Sequence, residues 1–207
     1  MSQYFENDKN IKSQLKKINY SIFNKNFTFY TDNGVFAKNG VDYGSKLLLE
    51  TIVDSSFLYH SILDVGCGYG TLGIILNKVY NCSTTMIDIN KRALHLARRN
   101  ILENKCNDIL IFESDAYAKI EDKYDLIITN PPIHAGKKKV YEILLEAKNH
   151  LTENGKLFFV IHKDQGAKSV IRDLSEKYKI EVLRKEKGFF IILAQNSWLV
   201  ARIVLII

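Results

Sequence analysis

Proline, cysteine and long apolar runs are scarce in this 207-residue sequence. Its only two prolines, Pro131 and Pro132, are adjacent, so no proline-rich linker divides the chain. Three scattered cysteines, Cys67, Cys82 and Cys106, share no paired spacing. That excludes a zinc ribbon and a disulfide framework, suits a reducing compartment, and leads us to expect no metal site. Two apolar runs stand out, 47–53 and 198–207, and neither reaches the ~20 residues that a membrane-spanning helix needs. The opening Met1-Ser-Gln-Tyr-Phe-Glu lacks the basic-then-apolar layout of a secretion signal. No internal repeat or low-complexity block is present. These absences point to a cytoplasmic protein with no membrane partner.

What remains is an ordinary globular balance, with 46% hydrophobic and 25% charged residues. The length suits one buried core and is short for two. We therefore expect a single domain over 1–207: an N-terminal extension and hairpin over 1–45, a core over 46–196, and an apolar tail of uncertain origin over 197–207. The tail reads equally as an added strand or as an extension foreign to the rest. A net charge of +6 is a modest hint of a polyanionic partner.

The segment ahead of Phe27 is polar and lysine-rich. Asp32-Asn33-Gly34, flanked by 27–31 and 35–37, has the composition of a hairpin turn. From Ser61 onward short apolar runs alternate with amphipathic segments. Strands are expected at 62–65, 84–87, 109–112, 125–129 and 156–161, with helices over 44–54, 72–79, 91–103, 139–151 and 167–178. This rhythm means a doubly wound α/β sheet. Two further strands, 180–185 and 189–194, are joined too tightly at Lys187-Gly188 for a parallel crossover. The sheet should therefore end in an antiparallel hairpin.

Two motifs carry chemistry. The first, Asp64-Val-Gly66-Cys67-Gly68-Tyr-Gly70, follows the first sheet strand and opens a helix, where glycines let the backbone approach a ligand. Gly68, Gly70 and Gly73, with Asp88 downstream, match a dinucleotide fingerprint. Asp64 with Gly66, Gly68 and Gly70 matches the D-x-G-x-G-x-G loop of enzymes that use S-adenosylmethionine (SAM). A carboxylate at the strand end would repel a pyrophosphate and suit a ligand bearing an ammonium and a sulfonium, which favours SAM. Asp88, beside Ile89, stands where a ribose diol could be held, and Asn90 reads as a helix cap. Asp115, beside Ala116, reads equally as an acceptor for an adenine amine and as a solvated loop acid.

The second motif is Asn130-Pro131-Pro132-Ile133-His134 at the end of an apolar strand. Proline fixes its own φ and restricts the residue before it, so the Asn130 amide is held stiffly. An aromatic amine is a poor nucleophile because its lone pair is delocalised into the ring. Acceptors on Asn130 and on the proline segment can grip its hydrogens and turn that lone pair toward an electrophilic methyl, so that positioning supplies much of the rate. His134 reads first as a turn histidine that can approach a base or phosphate. Lys137, Lys138 and Lys139 flank the motif, where they could hold phosphates.

These stretches, together with Thr31-Asp-Asn-Gly-Val-Phe-Ala and Asp42-Tyr-Gly-Ser-Lys-Leu-Leu, resemble the class I SAM-dependent methyltransferases. Within them the likeness is to the small-subunit ribosomal RNA guanine-N2 methyltransferase family, over residues 27 to 194. The resemblance implies a Rossmann-like sheet of seven strands whose last strand is antiparallel. It also implies a SAM site lined by Asp64, Gly66, Gly68, Asp88 and Asp115, an acceptor site at Asn130, and ribosomal RNA or the small ribosomal subunit as partner. Two departures stand out. Ile133 replaces the aromatic residue that many Asn-Pro-Pro enzymes place there, and we expect no counterpart of the duplicated domain that some relatives carry ahead of the catalytic one. Protein-glutamine and adenine-N6 methylation, or a non-catalytic SAM- or RNA-binding module, are the alternative readings.

Overall fold

A computed structural model describes residues 12–196. The apolar tail 197–207 and the first eleven residues lie outside it, so the expectation for the tail is not addressed. Nine strands and five α-helices alternate much as the apolar runs suggest. They are β1 (Lys16–Ile22), β2 (Lys25–Thr31), α1 (Tyr43–Asp54), β3 (Ser61–Val65), α2 (Thr71–Tyr80), β4 (Ser83–Asp88) and α3 (Lys91–Glu103). These are followed by β5 (Ile109–Glu113), β6 (Tyr124–Thr129), α4 (Lys137–Glu146), β7 (Leu151–His162), α5 (Ala167–Leu174), β8 (Tyr178–Glu186) and β9 (Phe189–Asn196).

Seven strands form one sheet in the order β5-β4-β3-β6-β7-β9-β8. The pairs from β5 through β7 are parallel, while β9 is antiparallel to both β7 and β8. Side chains alternate across the sheet and feed two cores. Ile62, Leu126, Ile128, Phe158 and Val160 pack with α1, α2 and α3. Leu63, Ile127, Leu157, Phe159 and Ile161 pack with α4 and α5 on the other face. Burial on both faces explains why these strands read as continuous apolar runs. Among the described residues no helix is long and apolar enough to cross a membrane.

The hairpin differs from its expected form. Its strands are β1 and β2, joined at Phe23-Asn24, and Asp32-Asn33-Gly34 is a turn with no returning strand. Phe23 and Asn24 both adopt positive φ, at 54° and 56°, the geometry of a tight hairpin turn. The hairpin is tied to α3 by side chains: Asn100 exchanges two hydrogen bonds with the backbone of Tyr30, and Asn104 two with Thr28. Two other elements are shorter than expected. The helix beginning at Lys137 gives way to a 3-10 turn after Glu146, and β7 starts at Leu151. The helix beginning at Ala167 ends at Leu174, because Tyr178 already belongs to β8.

Candidate functional site

The chain runs outward from β3 through β4 to β5, then returns to place β6 beside β3. Open α/β sheets bind ligands at such a reversal, outside the carboxyl ends of the strands. A cavity of about 460 Å³ lies there, and both motifs line it.

On one side stands the glycine loop. Gly66 and Gly68 have φ of 74° and 57°, and a Cβ on either would meet nothing within 4 Å, so the loop is open toward the cavity. Four of the loop's N–H groups are engaged within the protein. Those of Gly66 and Cys67 donate to the Ile87 carbonyl, Gly68 to Asp88 Oδ2 at 2.8 Å, and Gly70 to the Cys67 carbonyl. A pyrophosphate cradle needs such groups free. Gly70 itself does not line the cavity. It caps α2 at φ 97°, and a Cβ there would lie 2.8 Å from Met86 Cε. Burial pushes the Cys67 thiol well above its ordinary range, leaving a small inert side chain in the wall.

Asp64 lies fully buried beneath the loop. Its Oδ2 accepts from the Gly73 N–H at 2.8 Å, and its Oδ1 has no hydrogen-bond partner among the described residues. Burial raises its pKa to about 7 against the pull of the Gly73 N–H, and the neighbouring Asp88 adds to the rise. Asp88, at the end of β4, accepts from Gly68 and Asn90 N–H groups, one on each oxygen. Burial lifts its pKa as well, and those hydrogen bonds oppose the lift. Asn90 caps α3 by accepting from Arg92 and Ala93 N–H groups. Ile89, 39% exposed, and the buried Ala116 add apolar wall at the same end. Asp115 lines the cavity with its side chain exposed, and Lys139 Nζ reaches its Oδ1 at 2.8 Å and also pairs with Glu142 at 2.7 Å.

On the other side stands Asn130, at the end of β6. Its Nδ2 donates to Ser45 Oγ at 3.1 Å and to Asp42 Oδ1 at 3.3 Å. A carboxylate only accepts, so this contact fixes which way the amide faces and leaves Oδ1 as the acceptor that remains. Asp42 is itself held, because it caps α1 through the Ser45 N–H. Pro131, Pro132, Ile133 and His134 continue the wall, with Ile133 and His134 in a short 3-10 turn. Lys139 reaches the cavity, whereas Lys137 and Lys138 are exposed outside it and Lys137 lies 5.0 Å from the Tyr141 ring.

Sequence reasoning named no partner for Asn130. Asp42 and Ser45 sit in a stretch read for its resemblance and, from Gly44 on, as a helix, and the signal available was an aspartate placed to cap that helix. Tyr43, His162 and Phe189, which also line the cavity, carried no motif.

A family model described as Methyltransferase small domain matches residues 26–193. The uncharacterized protein YbxB of Bacillus subtilis is 39% identical over 201 residues, covering 95% of this chain and 100% of that one. Ribosomal RNA small subunit methyltransferase C of Haemophilus influenzae is 36% identical over 161 residues, 75% of this chain and 48% of that one. A solved T. thermophilus 16S rRNA N2 methyltransferase (RsmC), in complex with AdoMet and guanosine, has a TM-score of 0.80 at 22% identity. That match covers 89% of this chain and 51% of the other. The chain thus spans about half the length of the ribosomal RNA methyltransferases it matches.

Proposed function

Because the chain belongs to the methyltransferase small domain family, we propose that it moves a methyl group from SAM to the exocyclic amine of a nucleic-acid base. The base we assign is guanine, at N2, in small-subunit ribosomal RNA, which makes that RNA or the small ribosomal subunit its partner in the cytoplasm. One observation carries the reading: a rigidly oriented Asn130 amide faces the same cavity as the SAM-type loop.

The residues fit the cofactor. Asp64 lies beneath the loop and not in the cavity wall, and its buried Oδ1, without a partner among the described residues, sets a carboxylate behind the loop that suits a cationic ligand on the cavity side. The Asp88 carboxylate suits a ribose diol, and Ile89 and Ala116 suit the faces of an adenine, with Asp115 at its amine. When bound, SAM supplies a methyl group on a sulfonium, already a strong electrophile. Asn130 Oδ1 accepts one hydrogen of the target amine and the Pro131 carbonyl the other, which turns the lone pair toward the cofactor side of the cavity. Positioning of this kind is worth several powers of ten in rate without a dedicated base. Exposed Lys137 and Lys138 stand beside the opening for phosphates.

The test is incubation with methyl-labelled SAM and unmodified small-subunit ribosomal RNA, free and in 30S particles, followed by digestion to nucleosides. Label in N2-methylguanosine supports the reading. Label in N6-methyladenosine overturns the base, and label only in protein overturns the substrate class.

A further inference from the structure

The Asn-Pro-Pro motif ends in Ile133, whose aliphatic side chain offers no π-face, so a flat acceptor ring held at Asn130 needs its stacking partner elsewhere. We propose that Phe189, the first residue of β9, is the platform on which the target base stacks. The proposal rests on the reading above that the acceptor is a nucleobase.

Phe189 lines the cavity and pairs in register with His162 at the end of β7, across the carboxyl edge of the sheet from Asn130. The two rings lie 4.8 Å apart at 68°, and Tyr43 lies 5.8 Å from Phe189 at 50°. Neither neighbour stacks on Phe189 in parallel. Tyr43 is pinned through its hydroxyl, which donates to Glu186. Two glycines make this approach possible. A Cβ on Gly188 would collide with His162 Nε2. A Cβ on Gly44 would lie 3.0 Å from Phe189 Cε1 and 3.2 Å from Asp42 Oδ1. The ring edge of Phe189 and the carboxylate that orients Asn130 therefore converge on one point beside Gly44.

Phe36, half exposed on the same cavity, is the rival aromatic. Its loop is tied to the other end of the cavity, where Asn90 Nδ2 donates to the Gly34 carbonyl and the Tyr69 hydroxyl to the Ala37 carbonyl. It belongs with the glycine loop, and Phe189 belongs with Asn130. Beside Phe189, exposed Lys187 lies 4.4 Å from the Tyr43 ring, a cation at the edge of the platform suited to the nucleotide's phosphate.

The experiment uses the full chain. Phe189→Leu keeps apolar bulk but removes the π-face. It should raise the KM for RNA by about 5- to 100-fold, the range that one base–aromatic stack supplies, with SAM affinity unchanged and the fold retained. Phe189→Trp, in a Trp198→Phe background that removes the single native tryptophan, should restore the KM and show fluorescence quenched by guanosine in the presence of S-adenosylhomocysteine. An unchanged KM in Phe189→Leu, or an equal loss of SAM affinity, overturns the platform. If the wild type methylates no RNA but guanosine quenches the fluorescence of the Phe189→Trp variant, the RNA reading fails and the platform stands. If neither occurs, both fall.

Discussion

The Asn130 amide nitrogen lies 3.3 Å from Asp42 Oδ1, a contact that joins the end of β6 to the first turn of α1 across 88 residues of sequence. The same Oδ1 accepts from the Ser45 N–H at 3.0 Å, so one carboxylate oxygen both caps a helix and orients the Asn130 amide. Asp42→Ala should therefore act twice. It should lower kcat about tenfold, as loss of a charge-assisted hydrogen bond does, and lower stability by about 1 kcal/mol through the lost cap. Asp42→Asn, whose carbonyl oxygen can cap and accept, should keep most of both. Steady-state kinetics beside thermal melts of the two variants check this.

Asp64 gives the site a pH dependence. Its folded-state pKa of about 7 lies above the ordinary carboxylate value, so the folded protein holds a proton that the unfolded chain releases. That contribution to stability is complete below about pH 4 and is lost as the pH rises through about 7. Relative to Asp64→Asn, the ligand-free wild type should lose melting temperature between about pH 4 and pH 7. SAM affinity should run the other way, tightening as Asp64 ionises to meet a cationic ligand, and that trend should vanish in Asp64→Asn. Calorimetric titration across the same range reads it.

Asn100 on α3 and Asn104, the residue that caps its C-terminus, stand about one helical turn apart, a rise of about 6 Å, which matches the two-residue step from Thr28 to Tyr30 along β2. Their side chains thus serve as a substitute strand for the hairpin's outer edge. Fully buried Asn100 also donates to the Tyr69 carbonyl at 2.8 Å, tying the hairpin to the glycine loop. Asn100→Ala should cost about 3 kcal/mol, from three lost hydrogen bonds at about 1 kcal/mol each. Chemical denaturation measures this directly, and a cost under about 1 kcal/mol would contradict the role.

The lysine run divides by geometry. Lys137→Glu with Lys138→Glu should weaken RNA binding several-fold, with a shallower salt dependence, and leave SAM affinity alone. Lys139→Glu should instead weaken SAM binding, because Lys139 holds Asp115 at the cavity wall. Filter binding for RNA and titration for SAM separate the two.

Much of this was legible in the chain because local chemistry and tertiary structure agree. α3 runs over 91–103, as its periodicity and its Asn90 cap indicate, and the central strands follow their apolar runs because both faces of the sheet are covered. The hairpin was misplaced for a physical reason. Its turn uses Phe23 and Asn24 at positive φ, where glycine is the usual signal, while the glycine-bearing 32–34 turn leads into no strand. The start of β7 was hidden because Leu151-Thr-Glu-Asn-Gly lacks strand composition, and it pairs with β6 through an irregularity next to Tyr124. The contacts that complete the site, Asp42 and Ser45 with Asn130 and the Phe189 cluster, join residues far apart in sequence, and no periodicity announces such pairs.

The central claim is that the Asn130 amide grips the acceptor amine, and single-turnover methyl transfer at saturating SAM tests it most directly. Asn130→Ala should transfer label to RNA more than about 100-fold more slowly than the wild type, a loss of the order expected for a positioned polar group in a transition state, while binding SAM with unchanged affinity. Full turnover by Asn130→Ala would contradict the account.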